Sequence, residues 1–394
     1  MLPLDYAIRN LGRSPSRLIM TVLGSALLVA AVLAAGAFVR GMDESLRATG
    51  SPDNVILLGA GSEEAIERSE ISASVPGIVA ASVDGIREQA GVAFVSPEVH
   101  AMLHARPADA PWSSRAPAPV TVRGVTQTAL LVHRDARIVD GHFPRVGHDE
   151  VMVGRAASVR MGVPDAALAV GRMIEIDGRP WTICGRFSAG GTMAEAEIWT
   201  AMADLMEATR RSGVSCVVLT LDTDEQVGAE FEDIAVFTML RPDLELVAIL
   251  ESEYYAQLSA FFDPIRVVVW TTAGLILVGG FLGGLNTMYA AFVSRVREFG
   301  TLQAIGFRRR AIALSLVQES VVATAAGTLL ACAVGVLLLD GLSIRFSQGA
   351  FGLIVDAPVI LAGLVAGLSL GLFGALPPAL RCLRLPIPTA LKAV

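Results

Sequence analysis

Residues Ser294 to Ser320 read SRVREFGTLQAIGFRRRAIALSLVQES, and this stretch decides how the rest of the chain is arranged. It lies between two long apolar runs. It carries five arginines, Arg295, Arg297, Arg308, Arg309 and Arg310, against one acid ahead of the second run, Glu298. A short, arginine-rich loop between membrane spans faces the cytoplasm by the positive-inside bias. Glu298 to Ile305 is predicted as a short helix of about two turns. Phe299, Leu302 and Ile305 or Gly306 would share one side of it, and Gly306 supplies a stop before the next helix. From charge alone, a solvated connector whose arginines only fix topology explains the stretch equally well.

The chain has 394 residues, is 53% hydrophobic and has a mean hydropathy of +0.58, too apolar for an ordinary soluble protein. Four runs reach the roughly 20 residues that a span needs. Leu18–Val39 and Val267–Val293 are uncharged, Ala311–Leu339 contains only Glu319, and Ala357–Leu380 is uncharged and ends in Pro377-Pro378. Arg9, Arg13 and Arg17 stand before the first against Asp5, and Arg381, Arg384 and Lys392 follow the last without an acid. Both termini and the 294–310 loop are therefore expected on the cytoplasmic side. The predicted order is an amphipathic N-terminal helix over 1–17, spans at 18–40, 265–293, 311–339 and 357–380, an external loop at 340–356 and a cytoplasmic tail at 381–394. Leu4, Ile8 and Leu11 place the first of these at the inner membrane surface. Ala35-Gly36-Ala37 resembles a signal cleavage site, but 22 uncharged residues exceed a usual signal h-region and favour a retained anchor.

Residues 41–264 then lie outside, with 17 arginines against 33 acids. A surface this acidic argues against nucleic acid as a partner. Strands are predicted at Asn54–Leu58, Val92–Val95, Val120–Val125, Glu150–Val153, Met173–Ile176, Trp181–Cys184, Cys216–Leu221 and Leu244–Ile249. Helices are predicted at Val79–Gln89, Arg155–Met161, Met202–Arg211, Glu225–Phe237 and Ser252–Phe262. Asp177-Gly178 fits a two-residue hairpin turn, and Pro107–Pro119 reads as a tip or subdomain boundary. The fold class expected is an α-helical membrane protein with four transmembrane helices and a large α+β extracytoplasmic domain inserted between helices 1 and 2.

The run Arg297, Glu298, Gly300, Leu302, Ala304, Gly306, followed by the basic cluster at Arg308 and by Glu319, resembles the FtsX-like permease domain of the MacB/FtsX/LolC class of ABC transporters. The stretches VTVRGV (120–125), IVDGHFP (138–144), EVMVG (150–154), VGRMIEIDG (170–178) and RPWTICGRF (179–187) are similar to the MacB-type periplasmic core domain. His142 stands where that family often has arginine. The resemblance implies that 294–310 is a coupling helix seated in a separate ATPase of the MacB/LolD type. It implies a second permease copy or paralogue, in some systems a periplasmic membrane-fusion adaptor, and a bacterial plasma (inner) membrane location among membrane lipids. Mechanotransmission follows from it: ATP-driven movement of the loop reshapes the external domain, which handles lipoproteins, macrolides, peptides or haem in different members. An alternative within the fold is an FtsX-like regulator that activates an external partner such as a cell-wall hydrolase; a sensor or scaffold without an ATPase has no need of the coupling motif.

The sequence shows no G-x-x-x-x-G-K-[ST], and its one lysine is Lys392, so ATP is expected to be used by a partner and no cofactor is expected here. His100 and His104 are four apart with Met102 between. On a helix they would permit a metal or haem contact, but Val92–His104 is more strand-like and both read as surface histidines. His133, His142 and His148 carry no pattern. Cys184 and Cys216 lie outside, where a disulfide could persist; Cys332 and Cys382 do not suggest zinc. No nucleophile–base arrangement stands out, and the acids read as solvated surface. Glu319, the one acid within a span, is costly there; it is expected to hydrogen-bond a neighbouring helix or brace the loop.

Overall fold

A computed structural model of the chain describes residues 15–109, 117–222, 227–346 and 349–392. The N-terminal segment read over Leu4, Ile8 and Leu11 lies outside the described residues, as do residues 110–116 of the Pro107–Pro119 stretch. The chain divides into two compact units. One holds the chain up to Arg40, Pro264–Leu342 and the chain from Leu353; the other holds Gly41–Asp263 and Ser343–Gly352.

The helices that build or enter the first unit are α1 (Pro15–Thr49), α2 (Asp263–Val293), α3 (Val296–Ala304), α4 (Arg309–Leu338), α5 (Ala357–Leu383) and α6 (Ile387–Lys392). Among the described residues α1, α2, α4 and α5 are long and apolar enough to cross a membrane, with mean hydropathies of 1.9 to 2.5 in their most apolar windows. At 1.5 Å per residue even α5 exceeds a hydrocarbon core of about 30 Å. α1 runs beyond the predicted 18–40: Gly41 is accommodated within the helix, and no proline follows it until Pro52. α5 likewise continues through Pro377-Pro378, where Ala375, Ala379, Cys382 and Leu383 are buried in one cluster. Asp356 caps its first turn by accepting from Val359 N at 3.2 Å and also takes Arg40 Nε at 2.8 Å.

Small residues set how closely these helices approach. A Cβ at Gly327 would overlap Ser25 Oγ and Val22 O of α1, and one at Gly367 would overlap the Thr328 hydroxyl of α4. On α2 the glycines divide: Gly280 meets Leu28 and Gly284 reaches Leu370, while Gly279 and Gly283 face open space.

The second unit is built on a sheet of β1 (Asn54–Gly59), β2 (Val95–Pro107), β3 (Ala118–Val125), β4 (Arg137–Gly141), β5 (Glu150–Gly154), β6 (Met173–Ile176), β7 (Arg179–Ser188), β8 (Ile198–Ala201), β9 (Cys216–Thr220) and β10 (Leu246–Leu250). Their order is β10-β1-β9-β2-β3-β8-β5-β7-β4, with β6 paired to both β7 and β2. β3–β8 and β5–β7 are parallel and the other pairs antiparallel. The long β2 joins the halves: its first residues pair with β9 and the following ones with β3. Runs such as EVMVG and CVVLT are buried along their whole length, so both faces are covered and hydrophobicity does not alternate. Asp177 (φ 44°) and Gly178 (φ 83°) make the two-residue turn between β6 and β7, as their sequence predicts.

Several expectations change. The helix predicted over Val79–Gln89 is a helix at Val75–Ser82 followed by a strand at Glu88–Gln89 paired with Val92–Ala93. Pro76 suits a first helical turn, and left-handed residues at Gly85, Ala90 and Gly91 bend the chain back. The loop at 340–356 contains a hairpin, Ser343–Phe346 against Gly349–Gly352. Its Phe346 meets Phe262 edge-on at 5.1 Å. β4 and β8 were not legible: β4 is a polar, exposed edge strand, and β8 has only four residues.

Candidate functional site

α3 is amphipathic across its two turns. Val296, Phe299 and Gly300 are buried at i, i+3 and i+4, packed with Phe292, Ile312, Leu316, Ala379 and Ala390 in one apolar cluster. Arg297, Thr301, Ala304 and Ile305 are exposed and continue to Arg308 on the opposite side. Of Ile305 and Gly306, either of which was expected to share one side with Phe299 and Leu302, Ile305 is 71% exposed and Gly306 is exposed as well; only Leu302 turns inward beside Phe299. Helix closure explains the difference: Gly306 takes φ +104°, and Phe307 N donates to Leu302 O at 3.1 Å. Phe307 then fills the inner side in place of Ile305.

Of the residues singled out by sequence, Arg297, Glu298, Ala304, Gly306 and Arg308 are exposed. Gly300 is not on that face. A Cβ there would stand 3.0 Å from Ala390 Cβ of α6, so its lack of a side chain serves packing within the chain and does not present a surface to a partner. Arg309 Nε donates to Gln303 Oε1 at 3.2 Å, tying the start of α4 back to α3.

Glu319 is buried on α4 and accepts from two arginines. Arg295 Nη1 donates to its Oε2 at 3.0 Å and Oε1 at 3.3 Å, and Arg17 Nη2 donates to Oε1 at 2.7 Å. Arg295 also donates through Nε to Glu298 at 3.1 Å and lies 5.4 Å from the centre of the Phe299 ring. The expected bracing role of Glu319 thus has named partners: the carboxylate joins α1, α4 and the entry to α3. By sequence alone Arg295 and Arg17 count only as topology charges. An intramembrane acid flanked by arginines near both loop ends was the signal that could have found them.

The second unit contains a buried charge network, built in part from acids expected on a solvated surface. Arg123 on β3 donates to both oxygens of Glu197 at 2.7 Å and to Glu98 at 3.0 Å, and its guanidinium lies 5.4 Å from the Trp199 ring centre. Glu98 also meets His133 Nε2 at 2.6 Å and His100 Nε2 at 3.1 Å. His100 is therefore a core residue and not a surface histidine; His104, on the same strand, is exposed as expected. Burial opposes ionisation of Glu98, but His133 and Arg123 outweigh it and hold the carboxyl well below its usual range. Burial likewise disfavours the His133 cation, and Glu98 overrides it, so His133 titrates above its ordinary value.

Among the described residues two groups of side chains bring possible metal donors within 4.8 Å: Glu98, His100 and Cys216, and His142, Glu150 and Cys184. In each an arginine already holds the carboxylate, Arg123 in the first and Arg145 in the second. Cys184 and Cys216 are free thiols in separate apolar clusters. Burial pushes the Cys184 thiol up to about 12.

Comparison with known proteins bears on both units. Residues 270–387 match the FtsX-like permease C-terminal family, and residues 18–234, more than half the chain, match the MacB-like periplasmic core domain family. An uncharacterized ABC transporter permease of Bacillus subtilis (strain 168), YvrN, is 22% identical over 95% of each chain. The macrolide export ATP-binding/permease protein MacB of Hyphomonas neptunium is 23% identical over 69% of this chain, which spans 43% of that relative's length. Among solved structures, the extracellular domain of the noncanonic ABC-type transporter YknZ from Gram-positive bacteria matches 50% of this chain and 99% of its own at 12% identity, with a TM-score of 0.38. The periplasmic region of MacB from Actinobacillus actinomycetemcomitans matches 55% of this chain and 96% of its own at 10% identity, also with a TM-score of 0.38.

Proposed function

The chain belongs to the ABC transporter permeases that combine a MacB-like periplasmic core domain with an FtsX-like permease C-terminal region, and from that premise we propose that it couples ATP hydrolysis by a separate ATPase to a change of shape in its extracytoplasmic domain. The observation that carries this reading is the two-sided build of α3. Its inner side is fixed to the membrane helices through Phe299 and the Arg295–Glu319 pair, and to α6 through Gly300. Its outer side offers Arg297, Ala304, Ile305 and Arg308. An exposed isoleucine between arginines suits a protein partner, since interface cores favour apolar residues with arginine.

In this reading the ATPase seats α3 in a cleft, and its closure moves α3 as a lever. Because Glu319 binds Arg295 and Arg17 together, that displacement is passed to α4 and α1 and not absorbed in a loose loop. The assembly contains two permease copies or paralogues and two ATPases, in some systems with an external adaptor, in a bacterial plasma membrane. Both termini and 294–310 face the cytoplasm; substrate is handled by the external domain and is exported or extracted from there. ATP hydrolysis belongs to the partner. The test places single cysteines at Thr301 and at Val139 in a chain lacking its native thiols. Impermeant thiol reagents applied to intact cells should label the second and spare the first; labelling at Thr301 contradicts the arrangement.

A further inference from the structure

The second unit holds a cavity of about 340 Å³, at the lower end of the size of ligand pockets. It opens between the segment that follows α1, the turn at His133, the loop after β7 and the helix Glu251–Phe261. Small side chains, Ala136, Ala189 and Ala194 among them, leave the space open.

Its polar lining is unevenly satisfied. The cations are engaged: Arg123 by Glu98 and Glu197, His133 by Glu98, and Arg134 by Asp53 at 3.6 Å. Two groups retain capacity. Thr192 is 7% exposed, and its Oγ1 is buried without a hydrogen-bond partner among the described residues. Glu251 is 3% exposed and accepts from Asn54 Nδ2 at 2.8 Å and Ser51 N at 3.1 Å, both on Oε2. Its Oε1 receives no hydrogen bond from the described residues. A buried hydroxyl without a partner costs about 1–3 kcal/mol, a cost that a bound polar group would remove.

Charge decides the class of ligand. Glu98, Glu197, Glu251, Asp53 and Asp135 surround or back the space against Arg123, Arg134 and His133. Acids therefore outnumber bases even with His133 charged, and such a cleft concentrates cations. We propose that this cavity binds a small primary amine, with the ammonium group donating to Glu251 Oε1 and a hydroxyl or amide of the same molecule paired with Thr192 Oγ1. The site lies where the chain leaves α1 and where it starts the helix that precedes α2. A ligand on Glu251 would thus touch both segments that lead to the first two membrane helices.

The experiment titrates the full-length protein in detergent with glucosamine and ethanolamine by calorimetry, using N-acetylglucosamine as the matched compound without the positive charge. Saturable binding of at least one amine, and none of N-acetylglucosamine, is expected. Glu251→Gln should weaken binding at least tenfold. Because Glu251 also holds Ser51 and Asn54, Thr192→Val is the second variant: its hydroxyl is buried without a partner among the described residues, so Thr192→Val should weaken binding of the two amines, each of which bears a hydroxyl, while leaving the melting temperature unchanged or raised. No saturable binding by either amine, equal binding of glucosamine and N-acetylglucosamine, or undiminished binding in both variants would overturn the proposal.

Discussion

Arg295 and Glu319, 24 residues apart, form a buried ion pair at 3.0 Å between the entry to α3 and the membrane helix α4. Both are under one-tenth exposed. Removing one member of such a pair strands the other and costs about 3–5 kcal/mol, whereas replacing both with apolar groups is far milder. Glu319→Leu should therefore lower thermal stability sharply, and Arg295→Met in the same chain should recover much of the loss. Unfolding of the single and double variants in detergent checks this. Simple additivity of the two would show that the residues do not act as a pair.

Gly300 faces Ala390 of α6 and not a partner. A methyl group at Gly300 would sit 3.0 Å from Ala390 Cβ, tighter than ordinary packing allows. Gly300→Ala is expected to lower the melting temperature, and Ala390→Gly to restore it. If Ala390→Gly brings no recovery, the glycine serves something other than this contact.

The external unit should respond to pH through His133. Its folded-state value lies above the ordinary 6.5, held there by Glu98 against burial. The stability it contributes is fully present below 6.5 and is lost as pH rises through the raised value. Glu98 has the opposite sign: its carboxyl is held below 4.5, so its contribution is lost only in acid. The melting temperature should thus fall from pH 6.5 toward alkaline pH, and His133→Gln should flatten that slope. Equal slopes in the two proteins would remove His133 from the account.

The membrane helices were legible because a charge-free run of about 20 residues has few alternatives. Strands such as Glu150–Gly154 were legible from their short apolar runs. The short helix α3 was legible as an element, but its buried face was not. A repeat of Phe299, Leu302 and Ile305 pointed one way, and the left-handed Gly306 turned Phe307 inward in place of Ile305. The buried network of Glu98, Arg123, His133 and Glu197 left no local trace. Its members come from β2, β3, the turn after β3 and the start of β8, and only the sheet order brings them together. Alternation of Glu98 and His100 within a buried strand was the one hint available.

The central claim is that the outer face of α3 is where an ATPase seats. Its most direct measurement is co-purification of the co-expressed ATPase with permease variants Ile305→Asp and Arg297→Glu, alongside ATP hydrolysis by the complex. Ile305 is largely exposed, so Ile305→Asp should cost the isolated chain about 0.5 kcal/mol or less. The account expects both variants to insert and fold as before, to lose most of the bound ATPase, and to lose hydrolysis with it. Retention of the ATPase at the unaltered ratio by both folded variants would contradict the account and leave 294–310 a connector.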